Sequence, residues 1–107
     1  MAVTEPIHDD VQVRAERRRV VVVLRRPLDH AFAEVLGAGL AAALDGGRGL
    51  LIDVSRVEPD DVVGMQALGR LVDVVAAEGH EVSVRGAREA VRAYLQLRHP
   101  VSFVTQL

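Results

Sequence analysis

One stretch, Gly49 to Gly64 (GLLIDVSRVEPDDVVG), limits what this chain can fold into. Leu50, Leu51, Ile52, Asp53 and Val54 read as a short buried strand, a continuous apolar run bounded by turn residues. Ser55 to Asp60 read as a turn, and Pro59 bars a regular ladder there. A helix then starts near Asp61 and runs through GMQALGRLVDVVAAEG. A strand feeding directly into a helix start sets backbone N–H groups and the carboxylates of Asp60 and Asp61 on one edge of the domain.

The flanks carry further strands and helices. Val11 and Val13 alternate with Gln12 and Arg14, the pattern of an edge strand. Val20 to Leu24 is a β-branched run between arginine pairs and reads as a central strand. Asp29 can cap the helix that follows. In it, Phe32, Val35, Leu36, Leu40, Ala43 and Leu44 fall at one-face spacing. Gly46 and Gly47 close it. After the central stretch, Met65, Leu68, Val72, Val75 and Ala76 mark a second helical face, which ends at Gly79. EVSVR (81–85) alternates as a strand. Ala87, Val91, Tyr94 and Leu95 mark a third helix, closed by His99 and Pro100. Val101 to Val104 is a last short strand. The order β-β-α-β-α-β-α-β predicts an α/β fold. It has a mixed, mostly parallel sheet of four to five strands, with three to four helices packed on it. Residues 1–10 read as a flexible lead-in and 11–107 as a single domain.

Composition narrows the function. The chain has 107 residues and a formal net charge of −2, and all 13 of its basic side chains are arginine. That balance supplies no electrostatic reason for nucleic-acid or membrane binding. The Arg17–Arg18–Arg19 triplet, the one feature inviting a nucleic-acid reading, is expected to be a solvated hairpin end. With no cysteine, thiolate catalysis and disulfides are excluded. No apolar run approaches the roughly 20 residues of a membrane span, and the start has no signal-peptide pattern, so a cytoplasmic protein is expected. His8, His30, His80 and His99 show no metal-ligand spacing. The glycines at 46, 47 and 49 run from helix to strand, the wrong order for a phosphate loop. Ser55, Ser83 and Ser102 lack a nucleophile-elbow context. Asp60 and Asp61 suit a helix start electrostatically. An enzyme is not expected, and no metal or cofactor is called for.

Three segments, PLDHAFAEVLGAGLAAAL, LLIDVSRVEPDDVVGMQALGRLV and EGHEVSVRGAREAVRAYLQL, together resemble the STAS domain of anti-sigma-factor antagonists over about residues 11–104. The resemblance implies a non-catalytic partner-switching regulator of transcription. Its expected partner is an anti-sigma factor that is also a serine kinase of the histidine-kinase-like ATPase type, or another regulatory protein, and dimerisation stays open. In that family the first serine of Asp-Ser-Ser-Gly at the second helix start is phosphorylated. Here Asp61, Val62, Val63 and Gly64 occupy those positions, and Asp29 matches the aspartate of the family's Leu-Asp. Val62 cannot accept a phosphoryl group, and no Ser, Thr or Tyr lies between Arg56 and Val82. Arg26 and Pro27 also replace the family's Gly and Glu. The partner-binding edge is therefore expected at Asp29, Asp60, Asp61, Val62, Val63, Gly64 and Met65, without a phosphorylation switch at residue 62. STAS-like domains also serve as accessory parts of ABC and anion transport systems, which is the alternative. A nucleotide-binding sensor is a further one, opposed by the two carboxylates at the helix start.

Overall fold

A computed structural model describes residues 3–8, 11–25, 30–44, 48–56, 62–99 and 101–104. Strands β1 (Val3–His8), β2 (Val11–Ala15), β3 (Arg19–Leu24), β4 (Gly49–Asp53), β5 (Val82–Arg85) and β6 (Ser102–Val104) form one sheet in sequence order. The first three are antiparallel, and β3 to β6 are parallel. Helices α1 (His30–Ala43), α2 (Val62–Ala77) and α3 (Glu89–Arg98) make the three crossovers. Right-handed crossovers that step repeatedly in one direction place their helices on the same face of the sheet. The core follows: Val20, Val22, Leu24, Leu50, Ile52, Val54, Val82 and Val84 form one cluster with Leu36, Leu40, Leu68, Leu71, Val91 and Leu95. Val21 and Leu51, one residue out of phase, point to the other face. They are also buried, but lie outside that cluster.

Two expectations are corrected. Residues 3–8 are not a loose lead-in: they pair with β2 from Val3↔Ala15 to His8↔Val11, with an irregularity between Pro6 and His8. The sheet therefore has six strands among the described residues, one more than expected. Backbone pairing to a neighbouring edge is nonlocal and leaves little trace in a segment's own composition. Second, Val35 does not face the core. It is 70 % exposed, and the buried stripe of α1 runs through Ala33, Leu36, Gly37, Leu40 and Leu44. The stripe turns toward small residues because α1 approaches α2 closely. A Cβ on Gly37 would lie 3.0 Å from Cβ and Cγ1 of Val74.

Residue chemistry accounts for α3. Glu89 in its first turn and Arg98 in its last complement the helix dipole. The His99 N–H donates to the Leu95 carbonyl, 2.9 Å away. The His99 ring lies over Gly69 of α2, and Nδ1 is 2.8 Å from Asp73 Oδ1. A side chain at position 69 would put Cβ 2.3 Å from His99 Nε2, so glycine there lets α3 dock.

Candidate functional site

The start of α2 and the C-terminal ends of β4 and β5 share one edge of the sheet, as crossover connectivity requires. At the helix start, Val62 is 57 % exposed and Val63 is 56 % exposed. Gly64 is buried. Met65 is half-buried and packs on the core. The apolar surface offered to solvent there is therefore that of Val62 and Val63, with Met65 behind it. Asp29, Asp60 and Asp61 lie outside the described residues.

Beneath the helix start, β4 and β5 end in a polar cluster that sequence reasoning missed. Asp53 and Arg85 are directly opposite each other in the parallel ladder. Both Arg85 Nε (3.2 Å) and a terminal guanidinium nitrogen (3.1 Å) donate to Asp53 Oδ2. The other carboxylate oxygen, Oδ1, accepts from the Ser55 hydroxyl at 2.7 Å and the Ser55 amide at 3.0 Å. Gly86 follows with φ +76° and passes so close that a Cβ there would lie 2.7 Å from Ser55 Cβ. The departure of the chain from β4 toward α2 is thus held by an ion pair, a side-chain turn and a close backbone contact. The one available signal was an acid and a base each ending a strand, visible only once those strands are placed side by side.

The Asp53 side chain is only 17 % exposed. That burial raises its pKa, but the Ser55 and Arg85 interactions outweigh it and hold the carboxyl below the ordinary range. A carboxylate with a depressed folded-state pKa contributes stability above its unfolded pKa of about 3.9 and loses it as pH falls through the lower folded value. Wild-type protein is therefore expected to lose stability more steeply below about pH 4 than Asp53→Asn, as read by urea denaturation at a series of pH values.

The Ser55 hydroxyl is spent on Asp53, while His99 is bonded to Asp73 between α2 and α3. Ser55 and His99 therefore sit in separate clusters. No group of three or more His, Cys, Asp or Glu able to hold a metal occurs among the described residues. No helix among them is long and apolar enough to cross a membrane. At the opposite end of the sheet, the β2–β3 turn carries the arginine triplet. Arg14 and Arg19 pair with Glu16 at 3.0 Å each. Arg17 and Arg18 are exposed without an ion-pair partner among the described residues.

Comparison with known proteins agrees with this architecture. A variant of RsbS from Moorella thermoacetica is 22 % identical, covers 91 % of this chain and 87 % of its own, and superposes with a TM-score of 0.67. The anti-sigma factor antagonist SpoIIAA in its unphosphorylated form is 16 % identical over 100 % of this chain and 90 % of its own, with a TM-score of 0.61. The murine anion transporter Slc26a9 is 20 % identical over 97 % of this chain but only 20 % of its own, with a TM-score of 0.56. These likenesses establish the fold. No curated protein matches the chain. The family model described as "Mlab, STAS domain" matches residues 11–98. That match spans most of the chain, from β2 to the end of α3, and the chain belongs to the STAS domain family.

Proposed function

We propose that this chain is a non-catalytic, cytoplasmic protein–protein interaction module, a divergent anti-sigma-factor antagonist that binds its partner through the start of α2. The observation that carries the reading is the exposure of Val62 and Val63. Two β-branched apolar side chains, each more than half exposed, stand at a helix start where polar caps are favoured. They form a compact apolar contact suited to a partner. Asp29, Asp60 and Asp61 complete the proposed edge by sequence position, with Gly64 and Met65 supporting it from beneath. A phosphoserine would bring about −1.5 to −2 charges to such an edge and repel a partner matched to it. Valine at position 62 removes that option, so the module acts as a constitutive antagonist of an anti-sigma factor of the serine-kinase type.

A second reading, an accessory subunit of an ABC or anion transport system, is supported by the Mlab name of the matching family model and by the likeness to an anion transporter. A pull-down from host lysate with wild type and Val62→Glu separates the two. The expected result is an anti-sigma-type kinase retained by wild type and lost, by about tenfold or more, with the glutamate variant, as for a charge buried in an apolar contact. Recovery of a transport ATPase selects the second reading. Retention of the same protein by both variants removes the α2 start from the interface.

A further inference from the structure

We propose a second binding site, for a small zwitterion, at the end of the sheet opposite the α2 start. Arg19 pairs in register with Gly49, and Leu50 pairs with Val82, which sets Gly49 beside Glu81. Arg19, Gly49 and Glu81 thus form one row across β3, β4 and the residue that leads into β5. The row lies on the face away from the helices, in phase with Val21, Leu51 and Ser83. Glycine in the middle of that row leaves a notch. Its volume is 210 Å³, and it is lined by Arg18 and Arg19 on one side, Glu81 on the other, and Leu51 and Ser83 behind. A side chain at position 49 would crowd it, since a Cβ there would lie 3.2 Å from the Glu81 carbonyl oxygen, which already accepts from the Leu50 amide.

Arg19 is held by Glu16, but the rest of the polar lining is uncommitted. Among the described residues, neither the Arg18 guanidinium nor the Glu81 carboxylate has an ion-pair partner, and the Ser83 hydroxyl has no hydrogen bond. Arg18 and Glu81 line the same notch without pairing across it. With strands about 4.8 Å apart, the two outer strands of the row stand roughly 10 Å from each other. A ligand with an ammonium group and a carboxylate or phosphate a few bonds apart bridges this gap. Its anion meets the Arg18 guanidinium, whose geometry suits a carboxylate or phosphate. Its ammonium meets Glu81, and its short aliphatic link lies against Leu51. The volume is below the roughly 300 Å³ at which drug-sized sites begin, and equals about seven waters at roughly 30 Å³ each, so the ligand is small. A simple anion would meet Glu81 as a repulsive wall, and a simple cation would meet the arginines.

Backbone amide chemical shifts of the whole chain test this, titrated with phosphoethanolamine, 4-aminobutyrate, inorganic phosphate and ethylamine. The expected result is saturable shifts at Gly49, Glu81 and Ser83 with one or both zwitterions at or below about 1 mM, and binding at least about tenfold weaker for the singly charged probes. Arg18→Ala and Glu81→Gln are each expected to weaken zwitterion binding about tenfold while leaving the amide spectrum otherwise that of the folded protein. Vesicles bearing phosphatidylethanolamine, added in a further arm, distinguish a lipid headgroup from a free metabolite as the source of the ligand. Phosphate binding as well as the zwitterions and unaltered in Glu81→Gln overturns the proposal, as does the absence of any saturable shift with either zwitterion.

Discussion

Replacing Leu71 with alanine is expected to cost about 2–5 kcal/mol of folding stability, the range for deleting a large aliphatic side chain from a closed core. Leu71 has no exposed surface and belongs to the single cluster that joins the sheet to the helices. It also lies where α1 packs on α2, with its Cδ1 3.4 Å from the point a Cβ on Gly37 would occupy. Two helices and a sheet meet at this side chain, so the site can relax little to fill the void. A domain of this size has only about 5–15 kcal/mol in total, so the loss is a large fraction of it. Urea denaturation measures it, with an unchanged slope expected if only the native state is affected. Leu97→Ala is the control. That leucine is 80 % exposed on α3, and its removal is expected to change stability by less than about 0.5 kcal/mol.

Gly86→Ala is expected to destabilise by about 2–4 kcal/mol, from two sources that can be separated. A φ of +76° costs an L-residue with a side chain roughly 1–2 kcal/mol. The added Cβ would also approach Ser55 Cβ to 2.7 Å and its Cα and N to 3.1 and 3.2 Å, and overpacking of that kind costs about 1–3 kcal/mol. Asparagine tolerates the left-handed region, so Gly86→Asn relieves only the first source. If it is as destabilising as alanine, the close contact dominates; if it recovers most of the loss, backbone strain dominates. Ser55 is also the residue that ties the exit of β4 to Asp53. Gly86→Ala is therefore expected to weaken partner capture through Val62 even at temperatures where the variant remains folded.

Much of this protein was legible in its sequence. The aliphatic runs at 20–24 and 50–54, the glycine-terminated first and second helices and the alternation at 81–85 identified β3, β4 and β5 and the two crossovers that join them, because each is an autonomous pattern of period two or 3.6. The absence of a hydroxyl at residue 62 and the helix start around it were equally local facts. Tertiary structure decided the rest. The first strand became one by pairing with Val11–Ala15, and Val35 faced outward because Gly37 lets α1 settle against Val74. Asp53 met Arg85, and Asp73 met His99, across separations of 32 and 26 residues. Likewise the notch at Gly49 exists only because Arg19 and Glu81 flank it. Periodicity describes which way a side chain points along its own element. What it then touches depends on register between elements, and no single segment of the chain contains that information.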